Sequence, residues 1–366
     1  MSVEKIYGEF LTEGELISIT PYGNGHINDT YLAISKDGGK EHKYILQRIN
    51  TVVFKNADIL MKNFVAVTSH IGGKLRQSGG DAERECLTLV KTAGGADWLV
   101  TPEGDYWRML LFIKDSKCYD KVERPEQFYE SAVAFGNFQR LLSDFPMEKL
   151  EETIKDFHNT PDRYNQLMRA VEGDACGRLK DVLPEVEFAK ARCEFCSLFE
   201  EANREGKLPK RVTHNDTKLN NILFDLVTDK PVCVIDLDTV MPGYAINDFG
   251  DSIRFGANTA AEDERDLSRV KFDISLFELY VKGFIEGASG ALLPSELELL
   301  PHAAKMMTLE CGMRFLTDHL NGDTYFKIHR ENHNLDRART QFKLVSEMEE
   351  CFDKMIAITK KYSEEK

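Results

Sequence analysis

The sequence lacks an excess of positive charge. Its 366 residues carry 47 Lys and Arg against 61 Asp and Glu, giving a formal net charge of -14. Proteins that bind nucleic acid need a basic face for the phosphate backbone, so the composition argues against such a partner. A neutral or cationic small molecule fits this charge better than a polyanion. No feature indicates a protein partner; the oligomeric state stays open, with a monomer as our expectation.

Long apolar runs and a disulfide pattern are also missing. No stretch reaches the roughly 18 apolar residues that a membrane-spanning helix needs. Residues 1–10 contain two acids and no apolar core of a secretory signal. The eight cysteines are scattered, and we interpret the single CxxC pair, Cys193 and Cys196, as packing residues. We therefore expect a cytoplasmic protein without a membrane segment.

Hydrophobic patterning divides the chain into two parts. Residues 1–113 contain several short β-rich runs joined by turns, whereas residues 118–366 mostly follow helical spacing. A β-rich segment at residues 211–238 interrupts the helical part, and the polar residues 114–117 form the predicted hinge. This pattern predicts an α+β protein with two lobes, a small β-rich N-terminal lobe and a larger, mainly helical C-terminal lobe.

The segment with the clearest chemistry begins after Val212. His214, Asp216 and Asn221 have the spacing His-x-Asp-x4-Asn. This is the pattern of a kinase catalytic loop, in which the Asp accepts the proton of the acceptor hydroxyl and the Asn binds magnesium. The pattern and the two-lobed organisation together predict a bilobal, protein-kinase-like fold with Asp216 as the catalytic base.

A predicted hairpin follows this loop. Two β runs, residues 222–226 and 232–235, flank a turn that we expect to be centred between Thr228 and Asp229. Asn221 and Asp236 are equally far from that centre, which predicts that they lie opposite one another and share Mg²⁺. Because Asp236 ends an apolar run, we also expect a carboxylate at the end of a buried strand.

Two other functions fit parts of this segment. Asp236 and Asp238 follow an apolar strand as in haloacid-dehalogenase-type phosphatases, where Asp236 would be the nucleophile and Asp248 and Asp251 a second acid pair. That scheme requires a doubly wound α/β domain, but the residues that follow are largely helical. The other alternative is a kinase-like fold that binds nucleotide without transferring phosphate.

A glycine turn indicates the nucleotide site. Gly23, Asn24 and Gly25 lie between two predicted strands, where glycine lets backbone N–H groups approach phosphates. We expect this turn to cover ATP, with the adenine against the hinge residues Phe112 and Ile113.

The cation that should hold the α- and β-phosphates is less clear. The third predicted strand offers Arg48, with Gln47 as the competing residue, and it contains no lysine in residues 44–49. A helical acid should pair with that cation, and three candidates remain open: Asp58, Glu83 and Glu85.

These elements together resemble the aminoglycoside phosphotransferase/choline kinase superfamily over nearly the whole chain. Four strings are similar to bacterial N-acetylhexosamine 1-kinases: THNDTKLNNILFD (213–225), VIDLDTVMPG (234–243), YILQRIN (44–50) and RFLTDHLNGDTYF (314–326). The resemblance implies an ATP- and Mg²⁺-dependent phosphotransferase that phosphorylates the anomeric hydroxyl of N-acetylglucosamine or N-acetylgalactosamine. It implies that Asp216 is the base, that Asn221 and Asp236 bind the metal, and that Arg314 and Tyr325 contact the sugar.

Other acceptors remain open within the superfamily, among them aminoglycosides, choline, homoserine and methylthio-sugars, because a fold does not fix a function. Asp248, in a DFGD string, is expected to brace the catalytic loop from the start of a helix rather than to bind magnesium. The string FHNTPDRY (157–164) also looks like a family element, without a mechanism that the sequence suggests.

Overall fold

The computed structural model describes residues 1–23 and 27–364, which form two compact units. The first unit contains residues 1–118, 144–155 and 223–241, and the second contains residues 119–143, 156–222 and 242–366. The chain first passes from one unit to the other after residue 118, next to the predicted hinge at residues 114–117. Residues 144–155 and 223–241 then return to the first unit. The hairpin after the catalytic loop belongs to the first unit, although it lies within the helical half of the sequence.

The chain forms ten strands and thirteen α-helices within the described ranges. The strands are β1 Glu15–Pro21, β2 Asp29–Asp37, β3 Lys40–Arg48, β4 Leu99–Val100, β5 Tyr106–Leu111, β6 Ser116–Lys117, β7 Arg211–Thr213, β8 Ile222–Asp225, β9 Pro231–Val234 and β10 Met241–Gly243. The helices are α1 Val3–Tyr7, α2 Ala57–Gln77, α3 Ala82–Glu85, α4 Pro125–Leu141, α5 Thr160–Gly173, α6 Leu183–Lys190, α7 Leu198–Arg204, α8 Ala245–Gly256, α9 Ile274–Ala288, α10 Pro294–Glu298, α11 Leu300–Leu320, α12 His333–Glu350 and α13 Phe352–Glu364.

The first unit is built on a five-stranded sheet of order β1-β2-β3-β5-β4 with antiparallel pairing. One face carries the apolar residues Leu46, Trp107 and Met109, which pack against Ile6 and Tyr7 of α1. Burying such side chains contributes about 1.5–3 kcal/mol each, which favours this sheet face as a core. In the register of β3 and β5, Gln47 pairs with Arg108 and Arg48 pairs with Trp107. Successive residues of a strand face opposite sides, so Gln47 and Arg108 lie on the other face of the sheet.

The predicted hairpin is present as β8 and β9, which belong to a three-stranded sheet of order β6-β8-β9. Its turn is a four-residue loop, residues 226–229: the Asp225 N–H donates to the Lys230 carbonyl at 2.9 Å, and the Asp229 N–H donates to the Asp225 carbonyl at 3.0 Å. Asp229 has a φ of 55°, in the left-handed region that Asp adopts more readily than most residues. The turn is therefore centred between Val227 and Thr228, one residue earlier than expected. The register of the hairpin consequently does not place Asn221 directly opposite Asp236.

The second unit is mainly helical and packs closely through glycines. A Cβ on Gly136 of α4 would lie 2.3 Å from the Phe284 carbonyl of α9, and a Cβ on Gly250 of α8 would lie 2.3 Å from the Ala303 carbonyl of α11. Helices this close exclude a side chain at the crossing point. This packing fixes α8 and α11, which carry residues of the candidate site.

Among residues 1–23 and 27–364, no helix combines the length and apolar character needed to cross a bilayer.

Candidate active site

Asp248 braces the predicted catalytic loop. Its carboxylate accepts hydrogen bonds from the backbone N–H groups of His214 and Asn215, both at 2.8 Å, and from the Gln139 side chain at 3.0 Å. It lies in the first turn of α8 and is buried. Burial raises the pKa of Asp248, and the charges and hydrogen bonds of the loop oppose that shift. The prediction that Asp248 holds this loop is confirmed.

A second set of hydrogen bonds connects the loop to α8 and α9. Thr217 donates its hydroxyl to the Asp248 carbonyl at 2.5 Å, and Ser252 donates to the Thr217 carbonyl at 2.7 Å. Tyr280, fully buried on α9, donates in turn to the Ser252 hydroxyl at 2.6 Å. These three buried hydroxyl groups connect the loop to both helices and stabilise its conformation.

His214 itself is a packing residue. Its ring is fully buried and lies 5.5 Å from the Phe135 ring and 5.9 Å from the Phe138 ring, both on α4. Its Nδ1 accepts a hydrogen bond from the Asp216 N–H at 3.3 Å. The histidine therefore fixes the backbone at Asp216, which explains why this position of the pattern need not touch a substrate.

The Asp216 carboxylate is partly exposed and held by two neighbours. The Asn221 amide donates to its Oδ2 at 3.0 Å, and the Lys218 ammonium lies 2.7 Å from its Oδ1. Burial would lower the pKa of Lys218, but the carboxylates of Asp216 and Asp251 raise it above its ordinary value. These two contacts fix the carboxylate in one position, which suits a group that must align a hydroxyl during phosphoryl transfer. Sequence reasoning missed Lys218, although its place two residues after Asp216 was a usable signal.

Asn221 and Asp236 carry oxygen atoms suited to Mg²⁺. The Asn221 Nδ2 is engaged by the Asp216 side chain and carbonyl, at 3.0 and 2.7 Å, which orients its amide oxygen away from Asp216. Asp236 has a φ of 59°, a costly conformation for a residue other than glycine. Its side chain is exposed, and the preceding apolar run is fully buried only at Cys233, so the expected carboxylate on a buried strand is not found. Amide and carboxylate oxygens are nonetheless ligands that this hard cation prefers.

Of the predicted nucleotide-binding residues, Asn24 and Gly25 lie outside the described residues. Gly23 has a φ of 79° and open space around its Cα, as a tight turn beside a ligand would need. Phe112 donates its backbone N–H to the Lys43 carbonyl at 3.2 Å, and its ring meets Tyr22 edge-on at 5.9 Å. Ile113 follows and is buried. Gly23, Phe112 and Ile113 belong to the same unit, and Phe112 and Ile113 directly follow β5.

Arg48 does not occupy the place expected of a phosphate-binding cation. Its guanidinium donates to Asp29 on β2 and lies 3.8 Å from Asp105, and the hydrogen bond to Asp29 is the main cause of its raised pKa. It lies on the face of the sheet opposite to Gln47, because neighbouring strand residues alternate. Arg48 therefore contacts two carboxylates on the face opposite to Gln47, and its role toward the phosphates stays a prediction.

The buried cation of this unit is Arg108, which sequence reasoning missed. Its side chain pairs with Asp238 at 2.6 Å, donates to the Gln47 amide oxygen at 2.9 Å and lies 4.3 Å from the Phe64 ring centre of α2. Asn28, which follows the glycine turn, donates to the other Asp238 oxygen at 2.5 Å. The acid that holds the cation is therefore Asp238, two residues after Asp236.

None of the three acids considered for that pairing takes it. Asp58 forms a surface ion pair with Lys62 at 2.7 Å, and Glu85 accepts the Asp81 N–H at 2.8 Å. For Glu83, the structure gives no ion pair to a described residue. A sequence pattern could have indicated the Arg108–Asp238 pair only through the rarity of charges inside apolar strands.

Arg314 and Tyr325 lie together in the second unit. The Arg314 guanidinium is 5.3 Å from the Phe157 ring centre and 5.5 Å from that of Phe326. Tyr325 is 67% exposed, and its ring meets Phe326 edge-on at 4.8 Å. The segment FHNTPDRY, for which the sequence suggested no mechanism, thus supplies one aromatic contact to Arg314.

Comparison with known proteins gives the same class of chemistry. A model of the APH family, described as a phosphotransferase enzyme family, matches residues 18–274, more than half of the chain. Similar solved structures include an aminoglycoside phosphotransferase from Alicyclobacillus acidocaldarius, which is 14% identical with a TM-score of 0.64 over 100% of this chain and 97% of that one. A microcompartment-associated aminopropanol kinase is 14% identical with a TM-score of 0.57, over 96% and 97%. A choline kinase from Cryptosporidium parvum is 13% identical with a TM-score of 0.55, over 94% and 93%.

These likenesses confirm the predicted kinase-like α+β fold, with a β-sheet N-terminal lobe and a helical C-terminal region. They also decide against the phosphatase alternative. Within the described residues, β9 belongs to a small sheet with β6 and β8, whose β6–β8 pair is antiparallel, and not to a doubly wound domain.

Proposed function

The chain belongs to the phosphotransferase enzyme family, and we propose that it transfers the γ-phosphoryl group of ATP to the anomeric hydroxyl of N-acetylglucosamine or N-acetylgalactosamine. The observation that carries the proposal is the catalytic loop. Asp216 is fixed by the brace from Asp248, hydrogen-bonded to Asn221 and paired with Lys218.

In this mechanism, Asp216 aligns the C1 hydroxyl of the sugar and accepts its proton late in the reaction. The sugar oxygen forms a bond to the γ-phosphorus as the bond from that phosphorus to the β–γ bridging oxygen breaks, and ADP leaves. The Lys218 ammonium, which lies beside Asp216, offsets negative charge on the phosphoryl group during its transfer. Positioning and electrostatics provide most of the catalysis of phosphoryl transfer, which agrees with a loop held by so many hydrogen bonds.

We propose Asn221 and Asp236 as the residues that would hold Mg²⁺. When bound, the ion would neutralise charge on the β- and γ-phosphates. For ATP itself, we propose that the turn at Gly23–Gly25 covers the phosphates and that the segment at Phe112 and Ile113 contacts the adenine. The buried Arg108–Asp238 pair supports the strand and loop that end at Asp236.

The choice of a sugar as acceptor is supported by Arg314. This guanidinium lies over two aromatic rings, and none of its N–H groups donates to a residue within 1–23 or 27–364. Its free donors suit the hydroxyl and acetamide oxygens of an N-acetylhexosamine. Tyr325 adds an exposed aromatic surface for the sugar. A guanidinium at this place disfavours a quaternary ammonium such as choline, which would be repelled by it.

An acceptor panel tests the proposal. The purified chain is incubated with ATP, Mg²⁺ and one of N-acetylglucosamine, N-acetylgalactosamine, choline, homoserine or an aminoglycoside, and the products are followed by ³¹P NMR. We expect a sugar 1-phosphate signal with an equal amount of ADP for the two hexosamines. If only another alcohol gave a phosphorylated product, that alcohol would replace the N-acetylhexosamine as the proposed acceptor. ATP binding without product from any acceptor would favour a protein that only binds nucleotide.

A further inference from the structure

Three charged residues occupy successive turns of one face of α11. Glu310, Arg314 and Asp318 are four residues apart, so their side chains neighbour one another along the helix. Both acids are buried, with Glu310 1% and Asp318 5% exposed, while Arg314 is half-buried. Buried carboxylates need partners, and the partners of these two lie on two different loops.

Glu310 holds the first loop, at the start of the FHNTPDRY segment. The His158 Nδ1 lies 2.8 Å from its Oε1, and the Thr160 hydroxyl donates to its Oε2 at 2.6 Å. Burial alone would raise the pKa of Glu310, but His158, Arg314 and Thr160 together hold it below its ordinary value. The ionised carboxylate thereby fixes residues 158–160 and the preceding Phe157.

Asp318 holds the second loop, which joins α11 to α12. Its Oδ1 accepts the backbone N–H groups of Thr324 and Tyr325, at 3.0 and 2.8 Å. Its Oδ2 accepts the Phe326 N–H and the Asn334 side chain, both at 2.9 Å. Four hydrogen bonds to one carboxylate define the backbone of residues 324–326, and with it the place of the Phe326 ring.

Arg314, between the two acids on the helix, lies over a ring from each loop. Its N–H groups have no hydrogen-bond acceptor in the described ranges, because Glu310 and Asp318 bind the two loops instead. A second guanidinium, Arg163, lies close enough to repel it: burial, followed by the charge of Arg314, lowers the pKa of Arg163. The Nε of Arg163 is buried and has no partner among the described residues. The N–H groups of Arg314 and the Nε–H of Arg163 are therefore donors without acceptors among the described residues. They lie beside two loops that Glu310 and Asp318 hold in place.

The helix that carries Arg314 packs on the helix that braces the catalytic loop. A Cβ on Gly250 of α8 would lie 2.3 Å from the Ala303 carbonyl of α11. α8 also carries Asp248, the brace of the loop that carries Asp216. Arg314 and this brace therefore lie on two packed helices of the same unit.

We propose that Glu310 and Asp318 are positioning residues for the phosphoryl acceptor, which hold Phe157 and Phe326 against Arg314 so that its N–H groups meet an uncharged, oxygen-rich molecule. The inference rests on the proposed function and deepens it. The two carboxylates do not touch the acceptor; they fix the two loops that do. The positive charge and free donors of Arg314 favour an acceptor with hydroxyl and carbonyl oxygens over a cationic amine.

Steady-state kinetics of Glu310→Gln and Asp318→Asn test this role. In either variant an NH₂ group replaces an oxygen that accepts hydrogen bonds, so one loop loses its anchor. We expect the KM for the N-acetylhexosamine to rise about tenfold or more, the equivalent of about 1.4 kcal/mol, with kcat and the KM for ATP within about twofold of wild type. Phe326→Ala, which leaves both carboxylates in place, should raise the same KM.

Glu296→Gln is the matched control. Glu296 is a fully buried carboxylate of the same unit that binds the Arg211 side chain and the Leu293 N–H, neither of which lies on α11. The Glu296→Gln variant should lower the melting temperature, as the test variants do, without changing the KM for the acceptor. If the acceptor KM of Glu310→Gln, Asp318→Asn and Phe326→Ala changes no more than that of Glu296→Gln, the positioning role is overturned. A wild-type protein that phosphorylates no N-acetylhexosamine would instead refute the proposed function, before any variant is compared.

Discussion

Arg108 and Asp238 form an ion pair of 2.6 Å whose side chains are 2% and 3% exposed. Arg108 comes from β5 and Asp238 from the short helix that follows Asp236. Asn28 donates a hydrogen bond to Asp238, and Gln47 accepts one from Arg108. The pair therefore connects the central sheet of the first unit to the turn that carries a proposed magnesium ligand.

Removing one partner of this pair should be costly. Arg108→Met leaves Asp238 as an uncompensated buried charge, and we expect a loss of about 3–5 kcal/mol in the free energy of unfolding. The double variant Arg108→Met/Asp238→Leu should lose less than the sum of the two single variants. Urea unfolding measures both, with the exposed pair Lys190–Glu187 as a control whose disruption should cost less than about 1 kcal/mol. Additive losses at Arg108 and Asp238 would refute the coupling.

The brace from Asp248 should matter for turnover more than for binding. Asp248→Asn places an amide N–H₂ against a backbone N–H, which displaces the loop that carries Asp216. Because small misplacements of reacting groups are costly, we expect kcat to fall about 10²-fold with little change in the KM for ATP. Asp266→Asn is the control, since Asp266 also accepts a backbone N–H, that of Ser268, on an exposed turn. Equal kcat values for the two variants would contradict the brace.

Lys218 should act through a charge that does not titrate in the assay range. The carboxylates of Asp216 and Asp251 outweigh burial and raise the pKa of Lys218 above 10.5, so its ammonium form is lost only as pH rises through that higher value. We expect Lys218→Met to lower kcat about tenfold by a constant factor from about pH 7 to pH 10. Rate profiles of both proteins over this range measure the effect. If the kcat of the wild type fell to that of Lys218→Met between about pH 8 and 9.5, Lys218 would be losing its proton in that range. The raised pKa of Lys218 would then be wrong.

Gly136 tests the helix packing beneath the site. A Cβ at this position would lie 2.3 Å from the Phe284 carbonyl and 2.7 Å from the Ala288 nitrogen, so Gly136→Ala should destabilise the protein by about 1–3 kcal/mol. Gly173→Ala is the control: nothing lies within 4 Å of its added Cβ, and the loss of backbone freedom in the unfolded chain should stabilise by about 0.4–1 kcal/mol. Thermal unfolding of the two variants should show melting temperatures that move in opposite directions.

Local signals in the sequence were sufficient for the fold, and they indicated the catalytic loop. Strand alternation, the hinge and the fixed spacing of His214, Asp216 and Asn221 depend on neighbours along the chain, and the predicted kinase-like fold is confirmed. The brace from Asp248 was also predictable, because an acid in the first turn of a helix is a common acceptor of backbone N–H groups.

Contacts between distant segments could not be predicted in the same way. Arg108 and Asp238 are 130 positions apart, and neither has a local pattern that names the other, so Arg48 took the place of the cation in the prediction. The hairpin turn lies one position earlier than predicted, because Asp225 pairs with Lys230 around a loop of residues 226–229. The role of the FHNTPDRY segment depends on Glu310, which lies about 150 residues later.

The central claim is that Asp216 accepts the proton of the acceptor hydroxyl. Its most direct test is the turnover of Asp216→Asn with N-acetylglucosamine, together with the affinity of the variant for ATP. The account predicts that kcat falls about 10²–10⁴-fold while ATP binds as in the wild type. A variant with full activity, or one that loses ATP binding and turnover to the same degree, would contradict it.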